Sequence, residues 1–422
     1  MRFLYSTGVI LYYFFLRIAG IFSSKARAWH YGRKELFDKL DEVFSIHYAN
    51  EDPAPVAWFH CASLGEFEQG KPVIEAYHQE FPGHLILLTF FSPSGYNHHT
   101  HYDFVDHVFY LPIDTIYNAR RFVNIVRPSV ALFVKYEFWF NYLNQLFKHS
   151  VPVFTISAIF RPDQHFFKWY GGWFRTHLRK IKMIFVQDKE SAELLHMVDV
   201  TNVLIGGDTR FDRVLDLKVL QQPFPLIDAF VGSKPVLVAG STWQQDEEVM
   251  LDLFRNYAGK VKFIIAPHEF GSNRIKDLLN LLGEKAEVYS NAQEVNLADK
   301  DALIIDSIGI LSQLYRYASI AYIGGGFGAG IHNTLEAAAF GVPVFFGPNF
   351  NRFREARDMV AIGTAFNIAN SSELLEKVQA LFSNQERLEE VSAKAGKYVM
   401  ELSGATRRIM NVLGPEMRGI NE

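Results

Sequence analysis

Short continuous runs of Val, Ile, Leu, Phe and Ala recur along the chain, bounded by turn residues and separated by longer amphipathic stretches. Such runs predict strands covered on both faces by helices, because a strand with one wet face alternates apolar and polar positions. The predicted strands are Val56–His60, Leu85–Thr89, His107–Leu111, Val130–Val134, Val153–Ser157, Met183–Val186, Val203–Gly206, Val236–Ala239, Lys262–Ala266, Ala302–Asp306, Ile320–Gly324 and Val342–Phe346. Helix-length segments lie between them, among them Phe67–Phe81, Gln245–Ala258 and Asn333–Phe340. Repeated strand–helix alternation indicates an α/β chain with parallel sheets, and about twelve strands exceed one ordinary open sheet. Two doubly wound domains facing a cleft are expected, residues 23–215 and 235–422. A linker is expected over 216–234, where proline and polar residues concentrate before a new strand.

The first residues follow a different pattern. From Phe3 to Phe22 the only charge is Arg17, and about 20 residues of helix match the thickness of a hydrocarbon core. Residues 1–22 therefore read as a membrane anchor, spanning or half-sunk; a core helix of a soluble protein is the alternative. The tyrosines and the absence of an A-x-A site argue against a cleaved signal peptide. Lys25, Arg27, Arg33 and Lys34 follow the segment while only Arg2 precedes it, which places the bulk of the chain in the cytoplasm.

Composition narrows the class. With 422 residues, 49% hydrophobic and 21% charged, the chain is globular rather than disordered, and its single cysteine, Cys61, excludes a disulfide scaffold. The net charge of −4 gives no reason to expect a nucleic-acid partner. Aromatic residues make up 15% of the chain and crowd its first half. The stretch His165–Arg175 mixes them with basic residues, as a contact at lipid-headgroup level would, although packing inside the N-terminal domain explains it equally well.

In doubly wound folds ligands bind beyond the carboxyl ends of the strands, so the residues that follow each strand are the candidates. After Val56–His60 comes Cys61-Ala62-Ser63-Leu64-Gly65-Glu66, a small-residue turn opening a helix with Glu66 in its first turn; complementing the helix dipole is the plainer role for that carboxylate. Lys135-Tyr136-Glu137-Phe138-Trp139 and Arg161-Pro162 follow two other strands. In the second half, Gly240-Ser241-Thr242 forms a small polar turn suited to an anion or to a plain N-cap. Pro267-His268-Glu269 and Asp306-Ser307-Ile308-Gly309 occupy equivalent places. The segment Gly324–Glu336 holds five glycines that leave backbone amides accessible. Asn333 is spaced to cap a helix carrying Glu336, which can accept hydrogen bonds from a ribose. Gly324, Gly326 and Ala329 also satisfy G-x-G-x-x-G/A, but no acidic residue follows at the distance a dinucleotide site needs. Apart from Asp103 and Asp106 the tract Asn97–His101 lacks flanking carboxylates or thiolates, and no metal site is expected.

Taken in order, Ala62-Ser63-Leu64-Gly65-Glu66, Arg161-Pro162, Gly240-Ser241-Thr242, Pro267-His268-Glu269, Asp306-Ser307-Ile308-Gly309 and Gly330-Ile331-His332-Asn333 with Leu335-Glu336-Ala337-Ala338 resemble the 3-deoxy-D-manno-octulosonic acid (Kdo) transferases of lipopolysaccharide synthesis. The resemblance implies a GT-B architecture of two Rossmann-like domains. It implies an inverting enzyme that moves Kdo from CMP-Kdo to a glucosamine primary hydroxyl of a lipid A precursor, lipid IVA, at the cytoplasmic face of the inner membrane. By the same resemblance Glu66 is the general base, Glu137 and Arg161 hold the acceptor or the sugar carboxylate, and Ser241, Thr242, Pro267, His268, Asn333 and Glu336 serve the donor. The backbone at Ile308 and Gly309 reads the cytosine, and no cofactor or metal is required, CMP-Kdo being a co-substrate. The chain departs from the family pattern at Trp243, Ile331 and Ala337, and Arg274 is the substitute for an arginine usual near the proline–histidine block. A GT-B transferase using a UDP-sugar and a non-catalytic membrane-bound module that binds lipid A precursors are the competing readings.

Overall fold

A computed structural model describes residues 1–97, 99–219, 222–294 and 297–420. The chain forms two compact units, Met1–Arg213 with Ser403–Glu422, and Val214–Leu402. Each is built on a seven-stranded sheet in which every neighbouring pair is parallel.

The first unit opens with α1 (Arg2–Phe22), α2 (Ser24–Tyr31) and α3 (Leu36–His47). Its strands are β1 (Val56–Cys61), β2 (Leu85–Phe90), β3 (His107–Tyr110), β4 (Val130–Val134), β5 (Val153–Ala158), β6 (Met183–Val186) and β7 (Val203–Ile205), in the order β3-β2-β1-β4-β5-β6-β7. The helix after β1 is α4 (Leu64–Glu80). All six residues of β1 are buried, because successive side chains feed two different cores. Trp58 points to one side and meets Phe122, Phe133 and Tyr142 at ring distances of 4.8, 5.2 and 5.6 Å. Ala57, Phe59 and Cys61 point to the other, against Tyr77 and Phe90. Much of the aromatic surplus of the first half is therefore core; Phe166 and Tyr142 are buried and Trp173 packs on Phe140, while Trp169 is 94% exposed.

The second unit holds β8 (Val236–Thr242), β9 (Lys262–Pro267), β10 (Ala286–Val288), β11 (Ala302–Ile304), β12 (Ile320–Ile323), β13 (Val344–Phe346) and β14 (Ala365–Asn367), in the order β10-β11-β9-β8-β12-β13-β14. The twelve predicted strands are present. The two that the pattern missed, β10 and β14, are three-residue edge strands, AEV and AFN, too short and too polar to stand out as apolar runs.

The last helix corrects the expected span of 235–422 for the second domain. Ala405–Ile420 returns to the first unit, where Ile409, Leu413 and Met417 join the core beside Phe59 and Tyr77. Arg418 pairs with Glu80 at 2.6 Å, and the Asp212 carboxylate accepts the amides of Gly404 and Thr406. An amphipathic helix goes where an apolar groove remains open, and α4 leaves one. The expected linker 216–234 is largely helical, with Arg210–Val219 running through the unit boundary and Pro225–Val231 following; Leu220 and Gln221 lie outside the described residues.

Candidate functional site

In each sheet the strand order reverses at one place, between β1 and β4 in the first and between β8 and β12 in the second. Connections leave in opposite directions there and open a crevice at the carboxyl ends. Glu66 and Glu137 follow the strands at the first; at the second, Ser241 and Thr242 end β8 and Asn333 and Glu336 follow β12, whereas Arg161 follows β5 and Ile308-Gly309 follow β11.

At the first, Ser63 is the N-cap of α4, and its hydroxyl donates to the Glu66 carboxylate one turn on rather than accepting from the helix backbone. Lys135 Nζ stands 3.5 Å from the other Glu66 oxygen. Lys135 follows β4 with φ of +63°, a left-handed conformation that non-glycine residues rarely hold and that aims its side chain across the crevice. The sequence patterning noted the cluster but gave Lys135 no role; the backbone conformation that brings it to Glu66 leaves no mark in the residue type.

Glu137 sits beside this pair. Burial, and then the negative charge of Glu66, push its carboxyl up to about 7, against a smaller opposing pull from the Trp139 N–H and Lys135. Trp139 is held in turn: its indole N–H donates to His60 Nε2 at 3.0 Å, and His60 Nδ1 meets the Thr89 hydroxyl at 2.9 Å. Burial drives the fully enclosed His60 down to about 3, so this ring is neutral and rigidly placed. Arg161 lies exposed after β5. Among the described residues it forms no ion pair with Glu66 or Glu137, though its charge opposes the upward shift of the Tyr136 phenol.

Because the fold favours protonated Glu137, the stability this group contributes is full below its unfolded value near 4.5 and is lost as pH rises through about 7. Glu137→Gln, which resembles the protonated form, is expected to melt close to wild type at pH 5 and several degrees above it at pH 8. Thermal scans at the two pH values check this; equal differences at both would remove the buried acid from the account.

At the second crevice, β8 continues through Gly240-Ser241-Thr242 instead of ending in a turn, with Ser241 at φ of +54° and a register shift between Gly240 and Thr242. The buried Thr242 hydroxyl donates to Glu247 at 2.8 Å, and Glu247 also takes Arg274. The His268 amide, just beyond Pro267, bonds the Thr242 carbonyl at 2.9 Å, and its ring stacks on Trp243 at 4.7 Å and on His332 at 4.5 Å, the three rings forming one cluster. Trp243, a departure from the family pattern, is thus a wall of the crevice, and its indole N–H reaches His332 at 3.3 Å.

The glycine segment differs from expectation. Gly324 donates to Gly240, Gly325 to the Asp246 carboxylate, and both Gly328 and Gly330 to the Gly325 carbonyl, so four of the five glycine amides are used within the fold. The glycines serve close packing as well: a Cβ on Gly324 would lie 2.2 Å from the Ser241 carbonyl oxygen. Nor does Asn333 cap a long helix. Leu335–Ala339 has only five residues with Thr334 as its N-cap, while the Asn333 side chain accepts from the Leu335 amide and donates to Glu336, each at 3.0 Å. Ile308 is 82% exposed and Gly309 has φ of +89° on the loop after β11. A pocket of about 530 Å³ lies between Trp243, Asp246, Phe327, Gly330, His332 and Arg352.

Among the described residues no group of three or more His, Cys, Asp or Glu is placed to hold a metal ion; His98 of the Asn97–His101 tract lies outside them.

Comparison with known proteins places this architecture. A family model described as 3-deoxy-D-manno-octulosonic-acid transferase (kdotransferase) matches residues 38–213. The chain is 27% identical over 393 residues to the 3-deoxy-D-manno-octulosonic acid transferase of Haemophilus influenzae, covering 89% of this chain and 91% of that protein. It is 26% identical over 336 residues to that of Aquifex aeolicus, covering 77% and 86%. Among solved structures the fold is similar to UDP-GlcNAc 2-epimerase from Neisseria meningitidis bound to UDP-GlcNAc, with TM-score 0.58, 17% identity and coverage of 85% of this chain and 99% of that one. Acinetobacter baumannii MurG gives TM-score 0.51 and 13% identity, covering 86% and 100%. Over most of its length the chain is similar to 3-deoxy-D-manno-octulosonic acid transferases, and it is a glycosyltransferase of GT-B architecture.

Proposed function

We propose that this enzyme transfers Kdo from CMP-Kdo to a primary hydroxyl on the glucosamine of a lipid A precursor, at the cytoplasmic face of the inner membrane, with inversion at the anomeric carbon. The observation that carries the reading is Glu66, a carboxylate held by Ser63 and Lys135 at the first switch point. The acceptor oxygen forms its bond to the anomeric carbon as the bond to the CMP phosphate breaks; Glu66 takes the hydroxyl proton and CMP leaves with the electron pair. A fixed carboxylate within hydrogen-bond reach of the nucleophile suits such a one-step displacement. Glu137 and Arg161 serve the acceptor or the sugar carboxylate, for which a guanidinium offers a two-point fork.

The donor belongs to the second unit, where Ser241, Thr242, Pro267, His268, Asn333 and Glu336 gather around the second switch point, with Ile308 and Gly309 toward the base. Thr242 and Glu336 act partly through their neighbours, since the Thr242 hydroxyl is committed to Glu247 and Glu336 accepts from Asn333. Only one phosphate leaves, so transfer is expected to persist in the presence of a chelator.

The test is CMP release from CMP-Kdo with and without lipid IVA, in EDTA, beside thermal protection by CMP and by UDP. Release that depends on acceptor, with protection by CMP, is expected. Protection by UDP alone would favour a UDP-sugar donor, and acceptor binding without CMP release would leave a binding module.

A further inference from the structure

We infer that α1 does not cross the bilayer but lies along its surface as an in-plane helix, tied to the first unit along its length. The inference rests on the membrane reading above and adds the topology. Twenty-one residues of helix extend about 31 Å, enough to cross a hydrocarbon core of about 30 Å. Length therefore permits a span. The contacts do not.

The first turn of α1 is fastened to the body of the unit. The Tyr5 hydroxyl donates to Asp114 Oδ2 at 2.5 Å, and the Asn141 amide group donates to Ser6 Oγ at 3.3 Å. The Tyr5 ring packs on Phe140 and Trp173 at 5.1 and 5.9 Å. Asp114 is itself fully buried and accepts the amides of Asn141 and Tyr142. Midway along, Tyr13 meets Trp29 and His30 of α2 at 6.2 and 6.3 Å, and Trp29 packs on Phe91 and beneath the Arg33 guanidinium. At the far end Arg27 donates to the carbonyls of Gly20 and Ile21, both at 3.2 Å. The shaded residues Tyr5, Ser6, Val9, Tyr13, Leu16, Ala19 and Gly20 follow each other at helical spacing and form one stripe from end to end.

A spanning helix would carry its first residues to the opposite face of the bilayer, about 30 Å from the domain. Here residues 5 and 13 both touch the domain, and only about 14 Å of helix remain beyond Tyr13. The opposite face carries Phe3, Leu11, Phe14, Phe15, Ile18 and Phe22, each between 43% and 86% exposed. Such a face sinks about 5–10 Å into the boundary between headgroups and acyl chains. Arg17, Lys25 and Arg27 supply the cations for anionic headgroups, and the 94% exposed Trp169 stands four residues before Trp173, which packs on Tyr5.

The test places a nitroxide on single cysteines at Phe3, Leu11, Ile18 and Phe22 of the full chain in vesicles of phosphatidylethanolamine and phosphatidylglycerol, and reads depth from collisions with oxygen and a nickel chelate. The native Cys61 is fully buried and provides the blank. All four positions are exposed, and transfer activity of each labelled variant checks its fold. An in-plane helix gives one shallow depth at all four, within about 5 Å. A spanning helix would put Leu11 about 15 Å deeper than Phe3 and Phe22, overturning the inference while keeping the membrane reading. Water-like accessibility at every position would overturn both.

Discussion

Glu66→Gln is expected to lower turnover by at least 100-fold while CMP-Kdo still binds within about twofold of wild type. Removal of a general base commonly costs 10²- to 10⁴-fold, because the hydroxyl must then attack while still protonated or yield its proton to water. The side chain keeps its volume, and the lost pairing with Lys135 is a modest loss. Lys135 is 24% exposed and retains contact with water, so the pair is worth about 1 kcal/mol or less. A melting temperature within a few degrees of wild type should accompany the lost activity. The measurements are steady-state turnover on lipid IVA and calorimetric titration of the donor. A variant retaining a tenth of wild-type turnover would take the base role away from Glu66.

The second large effect is expected at Asp246, which residue patterning passed over. Its buried carboxylate accepts from the amides of Trp243 and Gly325 and from the hydroxyl of the fully buried Tyr322, each at 2.9 Å. It is therefore the peg on which the glycine segment and the Trp243 wall hang. Burial raises the Asp246 pKa, against the pull of these three donors. Asp246→Ala strands three donors, each costing about 1–3 kcal/mol if left dry. Because Asp246 borders the pocket, water relieves part of this, and a net loss of about 3 kcal/mol is expected. For a unit of this size that lowers the melting temperature by roughly 6–12 °C. Donor affinity should fall with it, since Trp243 and Gly325 line the same pocket. Calorimetric scans of the full chain with and without CMP check both; a variant that melts as wild type and binds CMP normally would show that Asp246 supports neither.

Much of the fold could be read directly from the chain, and the reason is physical. A parallel strand buried on both faces is written as an unbroken apolar run, which is why β1, β4 and β6 were located within a residue of their ends. The edge strands β10 and β14 have little interior to face and carry no such mark. Asn333 shows a different limit: its spacing to Glu336 matched a capping pattern, but the helix has only five residues and Thr334 takes the N-cap position. From residue order alone the aromatic surplus of the first half fits a bilayer contact and packing inside the domain equally well. Trp58, Phe122, Phe133 and Tyr142 fill one face of the first sheet, while α1, Trp169 and several tyrosines, among them Tyr31 and Tyr117, stay exposed.

What the order of residues determined by itself was the set of chemically capable groups at the ends of strands: Glu66, Glu137 and Arg161 in one half, and Ser241, Thr242, His268, Asn333 and Glu336 in the other. Strand ends are legible from local patterning, and the doubly wound topology makes those ends the place where ligands go. Only the tertiary structure decided which of these groups meet. Lys135 reaches Glu66 because of one left-handed backbone angle, Glu137 gains its raised pKa from burial beside a second carboxylate, and the glycine amides are spent on Asp246 and on their own loop. The apolar length of α1 permitted a span, whereas the bond from Tyr5 to Asp114, formed between residues more than a hundred positions apart, determines where that helix can lie. Local sequence sets what each segment can do; long-range packing and hydrogen bonding select which of those options the chain adopts.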